Sequence, residues 1–336
     1  MSGIRIEIVT PAPRGTRNGN RVTAVRWAQL LRELGHHVSV VRALRSPSAD
    51  VLVALHARHS GESVRRYRSL RRDAPIIVAL TGTDIYSDLP NDAVARRSLA
   101  IADALVVLQP LALDLLPDEH RRKGRVIFQS CRPPARRQRR RVKVFEVCVL
   151  GNLRAEKDPL LCVRASRLLP PESRIEVTHI GAALEDALRN AMLTEVETNP
   201  RYHWVGPLSH ARALGMLARA RVLVHTSVLE GGANAIMEAL ACGVPVLSSH
   251  IPGSVGILGA DYPGYFEPGD PAGLADLLTR VESDSAFHAT LAERVRMLAP
   301  LADPDRERAA WSALIDEVVL ADKKGDVTWK PHRKIG

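Results

Sequence analysis

Two glutamates set the chemistry to be explained. Between Leu223 and Ser249 the chain reads LVHTSVLEGGANAIMEALACGVPVLSS. That is a strand, a glycine-bearing turn, a short helix ended by Gly243, then Pro245 and a second strand. Glu230 falls in the turn and Glu238 about one turn into the helix, so the two carboxylates can flank one ligand and accept hydrogen bonds from its hydroxyls. Gly231 and Gly232 allow the backbone to turn tightly and approach that ligand. The helix opening near Asn234 aims free N–H groups and the positive end of its dipole at the same spot, which favours phosphate.

Two further stretches carry charge to strand ends. Gly151-Asn152-Leu153-Arg154-Ala155-Glu156-Lys157-Asp158 follows one strand and precedes a helix. Thr10–Arg21 follows the first strand and opens the first helix. It lacks the Gly-x-Gly-x-x-Gly fingerprint, and no acidic residue marks the end of the next strand, which argues against a nicotinamide dehydrogenase. Arg14, Arg17, Arg21, Asn18, Asn20 and a helix N-terminus instead form an anion-binding concavity. Thr81, Gly82, Thr83 and Asp84 end a strand on the same face and complete that pocket. Gln109 and Ser130 also end strands of this half and are weaker candidates, whereas His56 and His179 read as hydrogen-bonded structural residues.

Short β-rich runs alternating with helical stretches must place these groups. In the first half the pattern predicts strands at Arg5–Val9, His37–Val41, Val51–Leu55, Ile76–Leu80, Leu105–Leu108 and Arg125–Gln129, with helices at Arg21–Leu34, Ser63–Arg72 and Asp92–Ala100. In the second it predicts strands at Phe145–Leu150, Ile175–Ile180, His203–Val205, Val222–Thr226 and Val244–Ser248. The helices there are Pro159–Leu169, Leu184–Glu197, His210–Ala218, Asn234–Ala241, Ala272–Glu282 and Ala286–Leu298. Arg-rich Pro133–Lys143 reads as a solvated linker. The expected architecture is α/β: two doubly wound parallel-sheet domains, residues 1–142 and 143–302, facing a cleft. A last helix, residues 303–322, returns to the first domain, and 323–336 form a loose tail.

Composition narrows the function classes. With 46% hydrophobic and 25% charged residues the chain reads as a soluble globular protein. No apolar run approaches the ~18–20 residues of a membrane span, and residues 1–30 carry no signal-peptide pattern. A cytoplasmic location and no membrane span are therefore expected. Four cysteines without a Cys-x-x-Cys pair fit buried, reduced thiols. The net charge of +10 raises nucleic acid as a partner, but 40 of the 47 basic residues are Arg scattered along the chain. Aromatic content of 4% leaves few stacking platforms. An anion pocket accounts for the charge, and no nucleic acid is expected. Asp303-Pro304-Asp305 is ordinary helix-start chemistry rather than a metal site.

The Glu230–Glu238 segment resembles the Glu-x7-Glu motif of the retaining glycosyltransferases of family 4, which have the GT-B fold of two Rossmann-like domains. Gly151–Asp158 is similar to that family's Gly-Arg-Leu-x-x-x-Lys-Gly. The resemblance implies a UDP-sugar donor held by the C-terminal domain. Glu230 would contact the sugar, Glu238 the ribose hydroxyls, and the amides of Gly231, Gly232, Ala233 and Asn234 the sugar and diphosphate. Lys157 matches the family lysine. Asn152 stands where the family has Arg, so Arg154 takes that place beside Lys157 in stabilising the departing UDP anion.

Leu80-Thr81-Gly82-Thr83-Asp84, Val106-Val107-Leu108-Gln109-Pro110 and Gly259–Phe266, with the Thr10–Arg21 loop and Gly151–Asp158, resemble the narrower group of selenosugar synthases of selenoneine biosynthesis. That similarity runs from about Ile6 to Leu278. It implies transfer of N-acetylglucosamine or glucose from a UDP-sugar to selenophosphate, without cofactor or metal, by a monomer or dimer. The acceptor-binding residues would be Arg14, Gly15, Arg17, Asn18, Gly19, Asn20, Thr81, Gly82, Thr83 and Asp84. The alternative within the class is a transferase to a hydroxyl acceptor, small molecule or lipid.

Overall fold

Strands form where short apolar, β-branched runs find cover on both faces. The computed structural model, which describes residues 3–15, 19–45, 48–82, 84–89, 91–135 and 139–324, holds two such sheets of six strands each. They belong to two units: residues 1–106, 116–127 and 308–336, and residues 107–115 and 128–307.

The first unit runs β1 (Arg5–Val9), α1 (Gly19–Glu33), β2 (His37–Val41), β3 (Val51–Leu55), α2 (Gly61–Leu70), β4 (Ile76–Leu80), a π-helical turn (Asp84–Asp88), α3 (Ala93–Ile101), β5 (Ala104–Val107), α4 (Asp118–Arg121) and β6 (Gly124–Val126). The strand order is β2-β1-β3-β4-β5-β6, so the direction of winding reverses between β1 and β3. β1 pairs in parallel with β2 and β3, and β3 with β4. VLVAL in β3 and IIVAL in β4 are buried at every position, as strands covered on both faces must be.

The second unit contains β7 (Phe145–Leu150), a 3-10 turn (Ala155–Lys157), α5 (Leu161–Arg167), β8 (Ile175–Ile180), α6 (Asp186–Thr198), β9 (Tyr202–Trp204), α7 (His210–Arg219) and β10 (Val222–His225). It continues through α8 (Asn234–Cys242), β11 (Val246–Ser249), α9 (Pro252–Leu258), β12 (Tyr265–Phe266), α10 (Pro271–Ser283) and α11 (Ser285–Leu298). The order is β12-β11-β10-β7-β8-β9 with every pair parallel. Its reversal lies between β7 and β10. Ligands of open α/β sheets collect beyond the carboxyl ends of the strands at such reversals. Gly243 ends α8 in the left-handed conformation, φ +63°, which a residue with a Cβ adopts only at a cost.

Helix α12 (Pro304–Lys324) begins in the second unit and completes the first. Its Trp311 is fully buried, with its ring 4.7 Å from that of Trp27, and Glu317 pairs with Arg125. Asp303 accepts the Asp305 N–H at 2.9 Å, the capping role its position suggested. Residues 325–336 of the expected tail, and Arg136, Arg137 and Gln138 of the linker, lie outside the described residues. No helix among the described residues is long and apolar enough to cross a membrane. All four cysteines are buried and none is in a disulfide.

Two departures from the sequence pattern have local causes. The strand expected at Arg125–Gln129 is only Gly124–Val126, because the chain then leaves the sheet: the Ser130 N–H and hydroxyl donate to buried Glu307. Helix α9 escapes the pattern because PGSVGIL, with a proline and two glycines, has poor helix propensity. Pro252 sits in the first turn, where its missing N–H costs nothing.

Candidate functional site

Beyond the carboxyl ends of β7 and β10, two turns are stitched together. The Thr226 hydroxyl donates to the Lys157 carbonyl at 2.7 Å, and the Val228 N–H donates to the Glu156 carbonyl at 2.9 Å. Asp158, left-handed at φ +36°, closes the 3-10 turn and redirects the chain toward α5. Lys157 and Glu230 are brought together by this framework. The Lys157 ammonium pairs with Glu230 Oε1, to which the Ser227 hydroxyl also donates at 2.7 Å. His225 Nε2 stands 3.6 Å from the same oxygen. All three approach Oε1, so Oε2 is left to accept from a ligand.

The environment fixes the ionisation of these groups. Burial works to raise the Glu230 carboxyl, but Lys157, then His225, and the hydrogen bonds from Lys157 and Ser227 outweigh it and hold the group below the ordinary range. Burial lowers His225 to about 4, with Glu230 opposing and Lys157 assisting. At neutral pH the turn therefore presents a lysine cation, a carboxylate and an uncharged imidazole.

The glycines beside Glu230 are small for reasons of contact. A Cβ on Gly253, at the start of α9, would lie 2.2 Å from the Glu230 carbonyl oxygen. One on Gly232 would lie 2.4 Å from Leu108 of the 107–115 segment, within the same unit. Neither Gly231 nor Gly232 adopts a positive φ, so close packing accounts for Gly232 better than the tight turn expected from the sequence. Asn234 opens α8 after Ala233, an N-cap residue that makes no side-chain cap bond. Glu238, on the first turn and a half of that helix, pairs with His210 Nε2 at 2.9 Å.

Arg154 is not joined to the pair. It is partly exposed and its ion pair, at 3.7 Å, is with Glu156. Asn152, at the position where an arginine was looked for, accepts the Ala182 N–H at 2.9 Å and holds the loop. His179 is a brace beneath the same loop. The Tyr202 hydroxyl donates to its Nδ1 at 2.7 Å, and its Nε2 donates to the Gly151 carbonyl at 2.8 Å. Burial lowers it to about 4. A small cavity remains among Gly151, Lys157, His179, His225, Thr226 and Ser227.

In the first unit, the Thr81 hydroxyl donates to Asn20 Oδ1 at 2.6 Å, tying the end of β4 to the start of α1, where Gly19 is the first residue. Arg14 and Gly15 are exposed, Gly15 at φ +87°, and Arg14 lines an open groove with Arg21, Val25 and Arg32. Arg17, Asn18 and Thr83 lie outside the described residues. Asp84 is turned inward. Its two oxygens accept the Gly82 N–H at 2.9 Å and the Ala57 N–H at 3.1 Å, so it braces the loop that carries Thr81 and Gly82. Burial raises its carboxyl, against the lowering effects of His56 and those two amides. His56, at φ +71°, lies 4.0 Å from Asp84 and 3.8 Å from Asp88. Gln109 and Ser130 are buried; Gln109 packs on Gly256 and Ser130 on Glu307.

The architecture is the GT-B fold. HepE of Anabaena, solved with UDP and glucose, superposes with a TM-score of 0.75 at 15% identity, over 94% of this chain and all of that one. Sucrose-phosphate synthase of Thermosynechococcus elongatus superposes with a TM-score of 0.74 at 17% identity, over 94% of this chain and 99% of its own. In sequence, residues 134–297 match the family Glycosyl transferases group 1. Glycosyltransferase 1 domain-containing protein 1 of Xenopus tropicalis is 23% identical over 266 residues, 71% of this chain and 77% of that protein. The chain is a glycosyltransferase carrying a group 1 transferase domain.

Proposed function

We propose that this glycosyltransferase transfers N-acetylglucosamine or glucose from a UDP-sugar to selenophosphate. The observation that carries the donor half is the partly buried Lys157–Glu230 pair at the strand reversal of the second unit. Glu230 Oε2 would accept a sugar hydroxyl and Glu238 the ribose hydroxyls, while Lys157 and the amides from Gly231 to Asn234, leading into α8, would face the diphosphate. HepE, solved with UDP-glucose, supports this choice of donor. The acceptor half rests, among the described residues, on Arg14, Gly15, Gly19 and Asn20 with Thr81 and Gly82, which would offer a cation, amides and a hydroxyl to a small anion.

In the proposed reaction selenium attacks the anomeric carbon as the bond from that carbon to UDP oxygen breaks. UDP leaves with the electron pair, and Lys157, Arg154 and the helix N-terminus stabilise its charge. Water then cleaves the Se–P bond, giving phosphate and the free selenosugar. Anionic selenium needs no base to deprotonate it, so no histidine is assigned to the acceptor. Such an acceptor is sensitive to oxidation, and a reducing cytoplasm suits both it and a chain whose four cysteines form no disulfide.

Anaerobic incubation with UDP-N-acetylglucosamine or UDP-glucose and selenophosphate tests the reading. UDP release together with a selenium-bearing sugar, trapped by alkylation and weighed by mass spectrometry, is the expected result. UDP release with the sugar transferred to a hydroxyl group and no selenium product would discard selenophosphate and keep the donor.

A further inference from the structure

We infer that His225 is a positioning residue that takes up a proton when the donor binds, replacing Lys157 as the cation beside Glu230. The inference rests on the donor reading above. In the ligand-free protein Lys157 is committed to Glu230 Oε1. A diphosphate arriving at the start of α8 competes for that ammonium. One lysine cannot serve two anions equally, and a largely buried carboxylate deprived of its cation is destabilised.

His225 is the group placed to answer that loss. Its Nε2 is buried, has no hydrogen-bond partner among the described residues, and stands 3.6 Å from Glu230 Oε1, just beyond bonding distance. The small cavity beside it leaves room for the gap to close. The charged and titratable groups that face it are Glu230 and Lys157 from the two turns, and His179 across the cavity. His179 has both nitrogens engaged, by Gly151 and Tyr202, and is held in place. The remaining lining is apolar Val149, Leu150 and Val224, with the hydroxyls of Thr226 and Ser227. Drawing Lys157 away removes a positive neighbour, and the diphosphate adds negative charge. Both changes favour the imidazolium, which then holds the Glu230 carboxylate in place through a charged hydrogen bond.

Calorimetric titration with UDP-N-acetylglucosamine, without acceptor, reads this directly, because its diphosphate diester does not titrate near neutrality. At pH 6, heats measured in two buffers of different ionisation enthalpy should reveal uptake approaching one proton per donor bound. The donor Kd should accordingly weaken by up to about tenfold from pH 6 to pH 7. His225→Gln should bind the donor with no proton uptake and no such pH dependence. In the unaltered protein, imidazole nitrogen resonances of His225 should pass from neutral to charged on donor addition, a readout that does not depend on the variant folding. Binding with buffer-independent heats, or uptake persisting in His225→Gln, overturns the inference and leaves the donor reading intact. Failure of the donor to bind at all overturns both.

Discussion

Each unit withdraws one carboxylate from most of the solvent just beyond the carboxyl end of its sheet, Asp84 fully and Glu230 largely, and the two are treated in opposite ways. Glu230 is given a lysine, a serine hydroxyl and a nearby imidazole, and it stays ionised with one oxygen left open. Asp84 is given two backbone amides and a histidine 4.0 Å away, and burial dominates, raising its carboxyl. The first arrangement stores a charge for a ligand. The second closes a loop upon itself, leaving Thr81 and the start of α1 to offer polar groups. Burial alone thus does not mark a functional acid; the kind of partner does.

The comparison can be broken most directly at Lys157. Lys157→Ala should lower the rate of UDP release about 10²–10³-fold and destabilise the protein by at most about 3–5 kcal/mol, less as the pH falls and His225 takes up a proton beside Glu230. Enzyme kinetics with a thermal melt would check both; full activity would contradict the leaving-group role.

Acidification should separate the units next. His179 and His225 have folded pKa values of about 4 against an ordinary 6.5. Between those values the unfolded chain binds the protons, so their contribution is complete above about pH 6.5 and is lost as pH falls toward 4. Each is worth about 3 kcal/mol over that window. In the first unit His56 is lowered but Asp84 is raised, and the two act in opposite directions. Hydrogen exchange of β8 and β10, corrected for intrinsic rates, should therefore lose more protection from pH 7 to pH 5 than that of β3 and β4.

Smaller effects sharpen the contrast. Gly253→Ala forces a methyl against the Glu230 backbone and should cost about 1–3 kcal/mol while weakening donor binding, measurable by denaturant titration and calorimetry. Asp84→Asn puts an amide donor opposite a backbone N–H. It should cost about 1–3 kcal/mol with the donor KM unchanged. A variant of normal stability that loses only acceptor affinity would return Asp84 to the ligand.

Much of this was legible in sequence because it is local. Apolar runs such as VLVAL and IIVAL declare buried strands, and EGGAN placed between a strand and a short helix declares a ligand turn. What escaped depends on segments distant in sequence meeting in space. Ser227 and His225 serve Glu230 only because β10 ends beside the turn after β7, and Gly253 matters only because α9 packs under Glu230. One signal was available: His-Thr-Ser ends an otherwise apolar strand, and polar residues in that place need partners. Spacing points to Arg154, and spacing does not foretell that its ion pair is with Glu156. His56 was read as a structural residue, but its positive φ and its two carboxylate neighbours arise from loops that no periodicity describes.

The final helix has a consequence for how the chain is made. The core of the first unit holds Trp27 and Trp311 ring against ring, both fully buried, although nearly the whole polypeptide separates them in synthesis. Domains commonly fold in the order in which they emerge from the ribosome. Here Trp27 lacks its Trp311 neighbour while both sheets are translated, and the second unit has all but its closing residues before α12 appears. The unit synthesised first is the one completed last.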